Sequence, residues 1–141
     1  MRRVVVDSNV YIDWINRGAQ EGILFRRDTV KYLSAIVLME LRAGAFSQGD
    51  QRLLRRLEGA FDRAGRVLLP SRAVFGEAGE VLRRLQAERG YNLGASHSIV
   101  NDVLIALSAR SIGATVITQN ERDYRVIQEL RPFELAIASP A

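Results

Sequence analysis

Two unbroken apolar runs dominate the hydrophobic pattern of this chain. Val4–Val6 runs directly into Asp7, and Ala114–Thr118 runs into Gln119 and Asn120. β-Branched residues favour strands. A continuous apolar run, rather than an alternating one, is typical of a strand covered on both faces, as in a parallel sheet. The pattern therefore predicts two buried parallel strands, each of which ends in polar residues.

Shorter strand patterns alternate with helical patterns along the rest of the chain. Further strands are predicted at 30–33, 67–70 and 133–137. Apolar residues at spacings of three and four predict the helices, at 10–18, 19–27, 34–44, 48–66, 71–89, 97–110 and after residue 120. This alternation predicts the α/β class with a mainly parallel sheet and right-handed crossovers. The length of 141 residues predicts a single domain over 1–141.

The composition limits the classes of protein to which this chain can belong. Hydrophobic residues make up 48% and charged residues 26%, which is ordinary for a globular protein. Met1 leads at once into charge and strand, and no apolar run has signal-peptide or transmembrane character, so we expect a cytoplasmic protein without a membrane partner. The absence of Cys excludes a disulfide framework and thiolate metal sites.

The chain is basic, with a net charge of +4. Its cations are all Arg except Lys31, and Arg makes bidentate contacts to phosphate, so a polyanionic partner is one interpretation. Biased codon usage is the other. The arginines on the outer face of the 48–66 helix are predicted to form an ordinary solvated face. The single histidine, His97, is predicted to be a loop or capping residue, which excludes a two-histidine ribonuclease and leaves a zinc hydrolase without ligands.

The candidate functional residues are acids, and two of them are Asp7 and Glu40. Asp7 follows the first strand, and ligands bind beyond the carboxyl ends of parallel strands. The alternative is that Asp7 only caps the helix that Ser8 and Asn9 begin. Glu40 lies on or beside an apolar helix face, where an inward acid must be paired or bind a cation. Its alternative is a rim position paired to Arg42.

A common pocket for these acids follows if the two long strands are neighbours. Asp102 also enters the core side of its helix, and Asn120 and Asp123 follow the second strand. Crowded carboxylates do not all stay ionised without a compensating cation. Oxygen ligands without Cys indicate Mg²⁺ or Mn²⁺. Such a site activates water and stabilises charge on a phosphoryl group.

Four segments in order resemble a PIN-domain ribonuclease of the VapC toxin type. They are Val-Asp7-Ser-Asn-Val-Tyr-Ile, Ser34-Ala-Ile-Val-Leu-Met-Glu40-Leu-Arg-Ala-Gly, Asn101-Asp102-Val-Leu-Ile-Ala-Leu, and Gly113 to Tyr124. The resemblance spans nearly the whole chain. It implies a three-layer α/β/α PIN-like fold, Mg²⁺-dependent cleavage of an RNA substrate by metal-activated water, inhibition by a cognate antitoxin, and a homodimer.

The resemblance also implies roles for individual residues. Asp7, Glu40, Asp102 and Asp123 match the catalytic, metal-binding acids. Asn120 matches a position where related proteins carry Asn or Asp, so either Asn120 or Asp123 is the direct ligand. Ser8, Asn9 and Asn101 match supporting positions. Ser8 replaces the commoner Thr, Asn101 replaces an acid found in some relatives, and Tyr124 replaces the usual Phe.

Two other functions compete with this one. A receiver domain also holds Mg²⁺ with acids, but it needs a second acid beside Asp7 and a late Lys, and Lys31 comes too early. A non-catalytic PIN-like module would only bind RNA or protein. The presence of all four acids argues against it, and a metal titration with RNA distinguishes the two.

Overall fold

The computed structural model describes residues 1–139, and Pro140 and Ala141 lie outside the described residues. The strands are β1 (Arg2–Val6), β2 (Thr29–Ser34), β3 (Val67–Leu68), β4 (Thr115–Thr118) and β5 (Leu135–Ile137). The helices are α1 (Ser8–Arg17), α2 (Glu21–Leu24), α3 (Ala35–Ala43), α4 (Gln48–Arg63), α5 (Arg72–Arg89), α6 (Ser98–Ser111) and α7 (Glu121–Leu130). The predicted single domain includes the two residues outside this range and stays a prediction.

The sheet brings the two long apolar runs side by side. Its strand order is β3-β2-β1-β4-β5, and every neighbouring pair is parallel. Val4 pairs with Thr115, and Val6 pairs with Ile117. Helices flank the sheet, so the predicted three-layer α/β/α class with a parallel sheet is confirmed. The carboxyl ends of β1 and β4 therefore open at the same edge.

Burial explains the unbroken apolar runs. Val4, Val5 and Val6 are all at most 1% exposed, as expected for a central strand covered on both faces. Helix α6 packs against β1 and β4 and is buried along most of its length. Its Ala106 and Ala109 are fully buried, and such small side chains let a helix approach a sheet closely.

Two predicted helices are shorter in the structure. The 19–27 segment forms only α2, because Gln20 adopts a left-handed conformation with φ 69° and Gly22 weakens so short a helix. The 48–66 segment stops at Arg63. Gly65 adopts φ 68°, and the Arg66 N–H donates to the Phe61 carbonyl, which is the backbone turn that commonly closes a helix. In residues 1–139, no helix is both long and apolar enough to cross a membrane.

Candidate active site

Asp7 lies at the carboxyl end of β1 and is held by β4 from the side. Its backbone N–H donates to the Ile117 carbonyl at 2.8 Å. The side chain is 3% exposed. Its Oδ1 accepts from the Ser8 N–H at 2.8 Å and thereby caps α1, while Oδ2 accepts from the Thr118 hydroxyl at 2.7 Å. Asp7 is therefore a helix cap, but its second oxygen belongs to a cross-strand contact that capping does not need.

Burial raises the pKa of Asp7. The hydrogen bonds from Thr118 and Ser8 oppose this shift, because they favour the charged form. The Asn9 amide supports the same oxygen, since its Nδ2 lies 3.4 Å from Asp7 Oδ2 and 3.2 Å from Thr118 Oγ1. Asn9 Oδ1 also accepts from the Gln119 N–H at 3.1 Å, so this side chain ties α1 to the end of β4.

Asp102 enters the same region from α6. It is 5% exposed, and its pKa is raised to about 8, first by burial and then by the charges of Asp7, Glu40 and Asp123. These charges interact strongly only over short distances in a poorly solvated site. The four acids singled out from the sequence therefore converge electrostatically on one region, although they come from three helices and the end of a strand.

Glu40 reaches the region from α3, which Ser34 caps by accepting from the N–H groups of Ile36 and Val37. Burial, and then the charge of Asp7, raise the pKa of Glu40. Its Oε2 accepts from Asn101 Nδ2 at 3.4 Å, and its Oε1 is buried without a hydrogen-bond partner among residues 1–139. Such an unsatisfied acceptor is costly in a folded protein.

The alternative partner of Glu40 is engaged elsewhere. Arg42 forms its ion pair with Glu58 of α4. Glu40 is thus neither paired to Arg42 nor part of any other ion pair in the described part of the chain.

Asn120 joins two of the carboxylates. Its Oδ1 accepts from the Asp123 N–H at 3.4 Å and caps α7, while its Nδ2 lies 3.3 Å from Asp102 Oδ2 and 3.2 Å from Asp123 Oδ2. The amide N–H₂ therefore donates to both acids. Asp123 Oδ1 accepts from the Tyr91 hydroxyl at 2.7 Å. Burial and this contact raise the pKa of Tyr91 to about 12.

Tyr124 is buried close to Asp7 and Asp102. It is fully buried, and its hydroxyl has no hydrogen-bond partner among the described residues. Burial, and then the charges of Asp7 and Asp102, raise the pKa of Tyr124 well above its ordinary value, so this phenol stays neutral. The hydroxyl lies near enough to both carboxylates to favour their charged forms. The replacement of Phe by Tyr thus adds a polar atom at the centre of the site.

The donor set fits a hard divalent cation in its chemistry. All candidate ligands are oxygens, the charges of neighbouring acids raise the pKa values of Glu40 and Asp102, and Glu40 Oε1 lacks a hydrogen-bond partner among residues 1–139. In residues 1–139, however, no three Asp, Glu or His side chains form a ready-made metal cluster. The amides of Asn101 and Asn120 donate to the carboxylates instead.

The family model described as PIN domain matches residues 4–129. The chain belongs to the PIN-domain family. This match covers the four acids and leaves the receiver-domain alternative without support. A search of the curated proteins found no match.

Solved structures similar to this PIN domain include several of VapBC. A chain of DNA-bound VapBC from Salmonella typhimurium is 27% identical, with a TM-score of 0.70 over 97% of this chain and 98% of that chain. VapBC2 from Rickettsia felis bound to a promoter DNA fragment gives 22% identity and a TM-score of 0.68 over 97% of this chain and 99% of that chain. VapBC-5 from Mycobacterium tuberculosis gives 23% identity and a TM-score of 0.60 over 99% of each chain. The predicted resemblance to VapC-type PIN domains is confirmed.

Sequence reasoning missed two side chains that the structure brings to the acids. Tyr91 lies in the loop after α5 and contacts Asp123, which is 32 residues away. The apolar pattern predicts Thr118 only as a strand residue, yet its hydroxyl contacts Asp7, 111 residues away. No local periodicity signals either contact. A hydroxyl at the last position of a buried strand is the only available hint for Thr118.

Proposed function

We propose that this PIN domain is a Mg²⁺- or Mn²⁺-dependent endoribonuclease and the toxin of a toxin–antitoxin pair. The observation that carries the proposal is the shared electrostatics of Asp7, Glu40, Asp102 and Asp123 at one edge of the sheet. Membership of the PIN-domain family and the likeness to VapBC structures support a nuclease of this kind. RNA as the substrate and the identity of the ion are parts of the proposal.

Each residue has a defined role in this proposal. Asp7, Asp102 and Asp123 would hold the cation, with Asn120 orienting Asp102 and Asp123 through its amide. A bound Mg²⁺ would stabilise charge on the phosphoryl group and lower the pKa of water. Glu40 Oε1 would accept a proton from the attacking water, since the raised pKa of Glu40 makes it a better base than an ordinary Glu.

The test uses Asp7→Asn, which keeps the shape of the side chain and its capacity to cap α1. The parent should cleave a labelled RNA with Mg²⁺ and lose this activity in excess EDTA. Asp7→Asn should not cleave the RNA with Mg²⁺, and it should not cleave it in EDTA. The matched control is Asp28→Asn, because Asp28 precedes β2 at the opposite edge of the sheet and is exposed. It should cleave as the parent does.

Thermal melts accompany the cleavage assay. With EDTA, Asp7→Asn should melt at or above the temperature of the parent, because one charge leaves a crowded site. Mg²⁺ should raise the melting temperature of the parent more than that of the variant. Full activity of Asp7→Asn, or undiminished cleavage in EDTA, would refute the catalytic assignment.

A non-catalytic PIN-like module is the second candidate. The observation that favours it is the absence of a ready-made cluster of three acidic ligands in residues 1–139. In that case the parent would bind RNA without cutting it, and Mg²⁺ would leave its melting temperature unchanged.

Partners are part of the same proposal. The similar solved structures include VapBC proteins, one of which is described as a member of a family of toxin–antitoxin systems, and this supports a cognate antitoxin for this chain. We also propose a homodimer, because two-fold pairing is the commonest oligomer and the exposed Phe25, which packs edge-on against Trp14, leaves apolar surface available. Light scattering at micromolar concentration should give twice the mass of the chain, and a monomer mass would contradict the dimer.

A further inference from the structure

Four arginines lie along one face of α4. They are Arg52, Arg55, Arg56 and Arg63. At 3.6 residues per turn they fall within an arc of about 100°, and the first and last are about 16 Å apart along the axis. Asp62 flanks this arc, and Glu58 lies outside it and pairs with Arg42. The opposite face of α4 buries Leu54.

None of the four guanidinium groups has a partner within residues 1–139. Among residues 1–139, most other ion pairs link an arginine to a nearby acid, for example Arg84 to Glu88, but no ion pair or side-chain hydrogen bond involves these four. Together they line an open depression of about 570 Å³. Four uncompensated cations around one depression repel one another, and an anion bound there would relieve this repulsion.

The depression is linked to the cleft beside Glu40 by wall residues that neighbouring hollows share. Arg55 also lines a neighbouring hollow, together with Ala45 and Leu54. Ala45 and Leu54 in turn line a cleft of about 250 Å³ that contains Glu40. The three hollows therefore adjoin one another through shared wall residues, and they lead from Glu40 past Ala45 and Leu54 to Arg55.

We propose that the four α4 arginines bind the backbone phosphates of single-stranded RNA whose adjoining nucleotide occupies the Glu40 cleft. The proposal rests on the ribonuclease function proposed above and adds where the substrate lies. Guanidinium groups bind phosphate oxygens in bidentate geometry. The cleft beside Glu40 is lined by Ile12, Ile15 and Leu41, which suit a base or ribose, and it is too small to admit a duplex.

The chemistry favours RNA over a protein partner at this face. A protein segment would need several acids spaced along about 16 Å of helix. A nucleic-acid strand carries a negative charge at every nucleotide, so it meets the whole row without a special sequence.

The experiment measures binding rather than cleavage. A fluorescent 12-nucleotide RNA of mixed sequence is titrated in EDTA at several salt concentrations, with RNA integrity checked on a gel. Arg52→Gln/Arg56→Gln is compared with Arg2→Gln/Arg27→Gln, which removes the same charge at the amino edge of the sheet. Arg52→Lys/Arg56→Lys keeps the charge but loses the bidentate geometry. Melting temperatures check that all variants are folded.

The α4 double Gln variant should bind about tenfold more weakly. The slope of its log affinity against log salt concentration should be shallower than that of the parent by about 1.4. This corresponds to about 0.7 for each lost phosphate contact on a single strand. The control should differ less than twofold from the parent, and the Lys variant should keep the salt dependence while binding more weakly than the parent. A parent that binds in this way but never cleaves would overturn the proposed function and leave the arginine site intact.

Two results would overturn the arginine site itself. One is an α4 double Gln variant that binds RNA as tightly as the parent. This holds even if an acidic protein that co-purifies with the parent no longer co-purifies with the variant. The other is an equal loss in both double Gln variants, which would indicate only the effect of net charge.

Discussion

Replacing Asp102 by Asn should stabilise the metal-free protein in a pH-dependent way. The introduced amide keeps an oxygen in place of the carboxylate Oδ2, which accepts from the Asn120 amide at 3.3 Å, so this hydrogen bond can persist. The charge, by contrast, disappears from a residue that is 5% exposed. The substitution therefore removes an electrostatic cost and retains the packing.

The magnitude follows from the pKa. In the folded protein the pKa of Asp102 is about 8, against 3.8 for an ordinary Asp. Between these values the folded state holds a proton that the unfolded state releases, so the free energy of unfolding falls as pH rises from about 4 to about 8 and then levels off. The full shift corresponds to about 6 kcal/mol. Neighbouring acids protonate in its place and the site relaxes, so the actual effect is smaller. We expect Asp102→Asn to raise the free energy of unfolding by about 2 kcal/mol at pH 8.

Urea unfolding in EDTA at pH 5 and pH 8 measures the effect. The gain of Asp102→Asn over the parent should be small at pH 5 and largest at pH 8. Asp62→Asn is the matched control, because Asp62 is an exposed acid of α4, and it should stay within about 0.5 kcal/mol of the parent at both pH values. A gain that does not change with pH, or a less stable variant at pH 8, would refute the buried-charge reasoning. With Mg²⁺ the difference should shrink or reverse, since the parent alone keeps the full ligand set.

Two further substitutions probe the side chains around the acids. Tyr91→Phe removes the donor to Asp123 and should lower the rate of RNA cleavage about tenfold while the melting temperature stays nearly constant, because the hydroxyl orients a carboxylate rather than filling the core; an unchanged rate would show that this contact is dispensable. Thr118→Val leaves Asp7 Oδ2 without its closest donor and should cost about 1–3 kcal/mol in urea unfolding, more at the higher pH than at the lower because the charged acid needs the bond most. A loss that is equal at both pH values would instead indicate a packing defect.

The fold could be predicted because its central strands are covered on both faces. That burial produces the continuous runs of Val4–Val6 and Ala114–Thr118, which local sequence displays directly. Helix ends were less predictable. The end of α4 depends on the left-handed Gly65, and the start of α2 on Gln20, a residue type that seldom adopts this conformation. Both ends depend on the backbone angles of single residues, which apolar periodicity does not record.

The sequence predicted that the acids would lie near one another, but not the hydrogen bonds that they accept. Asp7 and Asp123 follow strands whose apolar pattern is clear, so their edge of the sheet follows from the class of fold. Glu40 offered two interpretations of equal standing. What separates them is that Arg42 pairs with Glu58, 16 residues along the chain, which only the packing of α3 on α4 decides.

Asn101 and Asn120 explain how a crowded acidic site folds without a cation. Each amide donates to at least one carboxylate, and Asn120 donates to two. An amide carries no net charge, so these contacts offset only part of the repulsion, and the pKa values of Asp7, Glu40 and Asp102 all stay raised. The remaining cost is the free energy that a divalent ion could recover on binding. The same residues that stabilise the metal-free fold therefore leave a site whose stability should respond to Mg²⁺, and this links the stability experiments on Asp102 to the cleavage experiments on Asp7.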